Sequence, residues 1–292
     1  MLSVDMLEKC STIQEALEKL QRDEAMMPIA GGTDLLVKLR GGILPEHSRL
    51  LDISCLSEMR GIHAGESLVR IGALTPHQIV AENEIIRRYY PGLAAACGKV
   101  GSLQIRNHAS IGGNIANASP AADSVPVLAA LDARLCCESL ESDGSKRRRI
   151  TGVEEYLRDK AGGRLPGREL ITEICLDMPA QGDTCVYYKV GGRKSLAIAI
   201  CSCAVARKNG AYQIAFGSMS QYVERLTEVE KYVNEHKRYS QKEMLAVLRQ
   251  CLTPISDVRA SAQYRILTAA NILGILLEEC GEEVIWDNGA SC

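Results

Sequence analysis

No stretch of the sequence approaches the roughly 18 uninterrupted apolar residues that a membrane-spanning helix needs, although hydrophobic residues make up 46% of it. A membrane role is not expected. An excess of one charge is missing too. Against 36 Asp and Glu stand 34 Lys and Arg, a formal charge of -2, which offers no field to hold a nucleic-acid backbone. The one basic run, Lys146 to Arg149, follows the turn dipeptide Asp143-Gly144 and reads as a solvated hairpin arm. The segment MLSVDMLEKCSTIQEALEKL lacks the basic stretch, apolar core and cleavage site of a leader, so a cytoplasmic location is expected. Cysteine is plentiful, 12 residues, but a long chain without an export signal points to reduced thiols. Neither Cys136-Cys137 nor Cys201-x-Cys203 has the spacing of zinc pairs or iron-sulfur runs. No metal is expected, and any redox chemistry falls to an organic cofactor.

What is present reads as alternating strands and helices. Ser11-Thr12-Ile13-Gln14 has the form of a capping box, and Ile13, Ala16, Leu17 and Leu20 recur at helical spacing, so a first helix is expected over 11–22. The apolar run Met26 to Ala30 reads as a strand broken by Gly31-Gly32, with helical turns from Leu35 to Arg40. Further strands are expected at 50–53, 68–71, 134–138, 149–150 and 169–176. Helices are expected after Thr75-Pro76, from Pro91 to Lys99, from Ser124 to about Asp132, and after a Thr151-x-x-Glu154 cap. The Gly- and Pro-containing stretch 179–184 reads as a domain boundary. Beyond it, three strands at 186–189, 198–207 and 211–219 include an Asn209-Gly210 hairpin turn, and two helices follow at 241–251 and 260–280.

Two segments could carry chemistry. Ile29-Ala30-Gly31-Gly32-Thr33-Asp34 places a diglycine between a strand and a helix start. Glycine there permits close backbone approach, and the free amides suit a phosphate. Ser110-Ile111-Gly112-Gly113-Asn114, with Asn117 and then Asp123 before a helix, is a second diglycine, read as a loop. A dinucleotide has two phosphates, so two such loops around one pyrophosphate are more informative than either alone. The Rossmann GxGxxG is absent, and Gly191-Gly192-Arg193-Lys194-Ser195 fails as a P-loop because Arg193 stands where glycine is required. His108, beside the second segment, reads as structural or solvent-facing rather than a general base.

AGGTD at Ala30 to Asp34, QIRNHASIGGN at Gln104 to Asn114, ASPAADSVPVLAALDA at Ala118 to Ala133, and YYKVGGRKSLAIA at Tyr187 to Ala199 resemble the FAD-binding medium subunit of molybdenum hydroxylases. That family includes xanthine, nicotinate and aerobic carbon monoxide dehydrogenases, and the resemblance runs to Arg259 to Arg265. It implies an α+β fold with a p-cresol methylhydroxylase-type FAD-binding domain of two subdomains over 1–180. A small α+β carboxy-terminal domain, a three-stranded sheet with helices, follows over 185–287. It also implies that Pro28, Ile29, Ala30, Gly31, Gly32, Thr33 and Asp34 lie against the FAD pyrophosphate, with Ser110, Ile111, Gly112, Gly113 and Asn114 as the other wall. Asp123 matches a position near the ribose, Leu170 and Ile171, after Pro166-Gly167, match positions by the adenine, and Lys189 matches a lysine near the flavin. Val100 stands where some relatives place an aromatic ring. Ser195-Leu196 departs from the acidic or aromatic residues that some relatives carry near the flavin ring.

The implied function is that of a xanthine dehydrogenase-like oxidoreductase subunit acting in purine metabolism within a heteromeric complex. The partners would be a molybdopterin-binding large subunit and a 2Fe-2S small subunit, which would hold the molybdenum cofactor and the iron-sulfur clusters. Electrons would pass from the clusters through FAD to NAD. No side chain here is expected to act as acid, base or nucleophile. Two alternatives stay open at this point: a self-contained flavin reductase on the same fold, and a non-catalytic nucleotide-binding module.

Overall fold

The first elements are β1 (Val4–Lys9), α1 (Ile13–Arg22), β2 (Met26–Ile29), α2 (Leu35–Arg40) and β3 (Ser48–Asp52). This computed structural model describes residues 4–45, 47–165, 168–193, 196–236 and 238–286, so Pro166-Gly167, Lys194-Ser195 and the outermost ends of the two expected domains lie outside the described residues. The cap of α1 falls one residue later than the Ser11 to Gln14 reading. Thr12 Oγ1 accepts from the Glu15 amide at 3.1 Å, and the Glu15 carboxylate reaches back to the Ser11 amide at 2.8 Å. The acid at position 15, rather than Gln14, completes the box. The three strands form a parallel sheet in the order β1-β3-β2. Parallel neighbours need crossovers, which the intervening helices supply.

A 3-10 turn at Ser57–Met59 leads to β4 (Ile62–Ala64), β5 (Leu68–Gly72), α3 (His77–Glu82), α4 (Glu84–Tyr89), α5 (Pro91–Gly98), α6 (Leu103–His108), α7 (Ile111–Asn117) and α8 (Ser124–Ala130). Then come β6 (Arg134–Leu140), β7 (Lys146–Gly152), α9 (Val153–Ala161) and β8 (Leu170–Asp177). The strands make an antiparallel sheet in the order β4-β5-β8-β6-β7. The basic run lies on β7 as a hairpin arm: Lys146, Arg147, Arg148 and Arg149 pair with Glu138, Glu141, Glu173 and Glu169. The expected Thr151-x-x-Glu154 cap does not form. Gly152 occupies the cap position, Thr151 Oγ1 donates to Glu155 at 2.8 Å, and Glu154 instead accepts from the Arg225 amide at 3.1 Å.

β9 (Thr184–Gly191), β10 (Ala199–Lys208) and β11 (Ala211–Gly217) are antiparallel. Asn209 and Gly210 take φ of 51° and 82°, the left-handed pair that a two-residue hairpin turn requires. β12 (Glu224–Arg225) adds a fourth strand to the three expected. Two charged residues carry no strand pattern, and the pairing is secured by Arg225, which bonds Glu230 at 2.7 Å and also holds Asp132. α10 (Thr227–Glu235), β13 (Arg238–Ser240), α11 (Gln241–Cys251), α12 (Ala262–Glu279) and β14 (Glu283–Ile285) complete the described chain.

The alternation of side chains along β10 joins the two halves. Ala204 and Ala206 pack into the core that holds Val127 and Leu128 of α8, while Cys201, Cys203 and Val205 pack into a second core with Leu248 and Leu273 of the late helices. This sheet is therefore buried on both faces, which accounts for the unbroken burial of β10 from Ala199 to Ala206. Arg265 of α12 is buried and donates to the Ser218 carbonyl at 3.3 Å and to Asp257 at 2.8 Å. Its role is to hold the second half together.

Candidate functional site

The first diglycine leaves β2 and enters α2. A Cβ on Gly31 would lie 1.9 Å from the His108 carbonyl oxygen, so only glycine lets this turn close onto the end of α6. Gly32 has φ of +68°, the left-handed region that glycine enters without steric cost. Among the described residues, the amides of Gly31, Gly32, Thr33 and Asp34 have no hydrogen-bond partner. These are the free donors that an anion needs.

The second diglycine differs from the loop expected for it. Ser110 caps α7 by accepting from the Gly113 amide at 3.2 Å, so Gly112 and Gly113 form the first helical turn. The other amides at this helix start are spent within the protein. Ile111 N donates to the Thr75 carbonyl at 3.1 Å and Gly112 N to the Ala73 carbonyl at 2.8 Å. A Cβ on Gly112 would lie 2.5 Å from Ala73 Cβ, whereas one on Gly113, which is exposed, would meet only Ser110 Oγ at 2.8 Å. The amides of Ile111, Gly112 and Gly113 are therefore spent, whereas those of Gly31 to Asp34 are free among the described residues.

The two segments are neighbours. Beyond the Gly31 contact, Lys38 of α2 pairs with Asp34 at 2.8 Å and also hydrogen-bonds Asn117 at the end of α7. Lys38 was not singled out from sequence, although Asp34 and Lys38 at i,i+4 on a helix were a readable signal. Asn114 accepts from the buried Ser124 hydroxyl at 2.9 Å, which ties α7 to α8. A cleft of about 350 Å³, lined by Leu20, Glu24, Met26, Pro28, Arg168 and Glu169, opens beside the first segment.

Asp123 and Lys189, far apart in sequence, meet directly. Lys189 Nζ lies 2.7 Å from Asp123 Oδ2 and donates to the Lys99 carbonyl at 3.1 Å, while the Tyr187 hydroxyl donates to Asp123 Oδ1 at 2.9 Å. Both charged side chains are only 8% exposed. Burial pushes the Asp123 carboxyl upward, opposed by Lys189 and the Tyr187 hydrogen bond. Asp123 makes no side-chain cap for α8. Tyr187 falls within the YYKVGG stretch quoted above but without a role, and Lys99, whose ammonium lies over the Tyr187 and Tyr188 rings at 5.8 and 5.1 Å, carries no sequence signal.

Leu170 and Ile171 of β8 are buried in the main core. Val100 is half-buried just after α5, and its carbonyl accepts from Arg106 at 3.3 Å. His108 is exposed. His77 is the buried histidine: its Nε2 has no partner, its Nδ1 lies 3.4 Å from Cys97 Sγ, and burial holds its pKa down at about 4. Of the Ser195-Leu196 pair only Leu196 is described, exposed and with φ of 57°.

Comparison with known proteins bears on the family and the fold. Residues 4–179 match the family described as FAD binding domain in molybdopterin dehydrogenase, and residues 186–280 match the CO dehydrogenase flavoprotein C-terminal domain. The chain is 33% identical to the nicotinate dehydrogenase FAD-subunit of Eubacterium barkeri over 68% of this chain and 66% of that one. It is 31% identical to the glyceraldehyde dehydrogenase medium chain of Sulfolobus acidocaldarius, over 88% and 91% respectively. The fold superposes on CO dehydrogenase from Oligotropha carboxidovorans with a TM-score of 0.82 at 22% identity, covering 95% of this chain and 97% of that chain. The chain belongs to the FAD-binding medium subunits of the molybdenum hydroxylases.

Proposed function

We propose that this chain is the FAD-holding subunit of a xanthine dehydrogenase-like complex. Its partners in this reading are a molybdopterin-binding large subunit and a 2Fe-2S small subunit, with NAD as the electron acceptor. The observation that carries the proposal is the row of free amides from Gly31 to Asp34, with the exposed backbone of Gly113 in the neighbouring segment. The residues present fit a dinucleotide. Gly113 leaves a space that a side chain would fill, Gly31 lets the first segment close onto the end of α6, and Lys38, paired with Asp34, links the two segments.

In this reading Gly31, Gly32, Thr33 and Asp34 donate to the pyrophosphate, and Ser110, Ile111, Gly112, Gly113 and Asn114 exclude water from its other side. Pro28 and the cleft toward Glu169 receive the adenosine half, with Leu170 and Ile171 as the apolar floor. The Asp123–Lys189–Tyr187 cluster braces the wall near the ribose and flavin, and Val100 borders it. Bound FAD would supply the one- and two-electron redox chemistry. The substrate pocket would lie in the large subunit, which is consistent with relatives named for substrates as unlike as nicotinate and glyceraldehyde.

The isolated, FAD-loaded chain is assayed with NADH and a dye, and in parallel with xanthine and nicotinate. NADH oxidation without hydroxylation is expected. Hydroxylation by this chain alone would overturn the proposal, and a chain unable to oxidise NADH would remove NAD as the acceptor.

A further inference from the structure

Two buried cysteines lie outside both apolar cores. Cys137, Cys201 and Cys203 belong to the apolar cores, but Cys136 and Cys175, though 2% and 8% exposed, belong to neither. They sit on the opposite face of the five-stranded sheet. Cys136 of β6 pairs with Glu173 of β8, and Arg134 pairs with Cys175. Directly paired residues share a face, as do residues two apart on one strand. Cys136, Glu173 and Cys175 therefore converge, beside a register shift between Cys136 and Cys137. Their Sγ and carboxylate atoms all lie within 4.8 Å of one another, with Cys175 Sγ 3.9 Å from Glu173 Oε2.

We propose that Cys136, Glu173 and Cys175 form a binding site for one borderline-soft divalent cation of the zinc type. Tetrahedral zinc, with bonds of about 2.3 Å to sulfur and 2.0–2.2 Å to oxygen, sets its ligand atoms about 3.6–3.8 Å apart. The present cluster reaches that with side-chain shifts of about 1 Å or less. Two sulfur donors select against magnesium and calcium, which need oxygen ligands. Three protein ligands leave a fourth position for water.

Arg148 already marks the cluster as a place for positive charge: its Nη2 lies 2.8 Å from Cys136 Sγ and 3.4 Å from Glu173 Oε2. With two thiolates, one carboxylate and a divalent ion the site keeps one negative charge, which Arg148 neutralises from its present position on β7. Binding releases the two thiol protons to solvent. The Glu173 side chain, 26% exposed, is the side from which a cation arrives. Sequence spacing hides this site, because the cysteines become neighbours only through the pairing of β6 with β8.

The test titrates the reduced, full-length chain with Co²⁺. A sulfur-to-cobalt charge-transfer band should saturate at one equivalent and vanish when Zn²⁺ is added. The double variant C136S/C175S should lose the band. Glu173→Gln should keep it but weaken binding at least about tenfold, since even outer partners of metal ligands are worth that much. No charge-transfer band, or one that persists in C136S/C175S, would overturn the proposal. Circular dichroism of Glu173→Gln, which removes no sulfur, separates loss of binding from loss of fold.

Discussion

Gly113→Val separates the wall from the fold that builds it. Gly113 occupies the first turn of α7, and replacing a helical glycine recovers a few tenths of a kcal/mol, about 0.4 for valine. Against this, the new Cβ would stand 2.8 Å from Ser110 Oγ and displace the cap hydroxyl, a loss of about 1 kcal/mol. The net change in stability is therefore about 1 kcal/mol or less, and the protein should stay folded. The isopropyl group would nevertheless project from an exposed backbone into the space assigned to the cofactor. A fold-neutral intrusion that weakens binding by even 1.4 kcal/mol lowers affinity tenfold. The assay pairs urea unfolding with the flavin-to-protein absorbance ratio, using Gly112→Val as the contrast. A side chain at Gly112 would begin 2.5 Å from Ala73 Cβ and break the 2.8 Å bond to the Ala73 carbonyl. That overpacking destabilises by about 1–3 kcal/mol. A folded Gly113→Val protein with unchanged flavin content would refute the wall. Gly32→Val is a poorer probe, because φ of +68° and Leu36 Cδ1 at 2.9 Å would strain the backbone whatever binds there.

Lys189→Met leaves the Asp123 carboxylate buried without its cation and should destabilise by about 3–5 kcal/mol, measured by urea unfolding. The double variant with Asp123→Asn should recover part of that loss, and equal destabilisation in both would show that the pair does not matter. His77 has its folded pKa held at about 4 by burial, with Arg106 adding to the effect, against an ordinary value of 6.5. The unfolded chain therefore binds more protons between these values. Stability from this group is full above about 6.5 and is lost as pH falls toward about 4, on the order of 3 kcal/mol in all. His77→Gln should flatten that part of the pH profile in unfolding experiments, and an unchanged slope would show that another group titrates there.

The strand–diglycine–helix unit at Met26 to Arg40 was legible because its signals are local: an apolar run, a glycine break and a helical restart. Ser110 to Asn114 reads as a loop in the sequence because two adjacent glycines speak against a helix, yet it opens α7. Its start is fixed from a distance, by Thr75 and Ala73 carbonyls that capture the Ile111 and Gly112 amides. β1 escaped notice since most of its side chains are exposed, and its pairing with β3 supplies order that its own pattern does not. β13 and β14 are each three residues long and parallel, joined across α11 and α12, so no periodicity could reveal them. The Asp123–Lys189 contact spans 66 positions. The family resemblance placed both residues near the cofactor, yet only the folded chain shows each as the other's partner.

The central claim is that the two glycine segments together hold a dinucleotide. It is tested most directly by denaturing the purified chain and chromatographing the flavin released, after reconstitution with an equimolar mixture of FAD and FMN. The expected result is FAD, close to one per chain, because a pyrophosphate bridging two halves of a ligand would use both the free amides from Gly31 to Asp34 and the open side of Gly113. Recovery of FMN, or of no flavin from a folded chain, would contradict it.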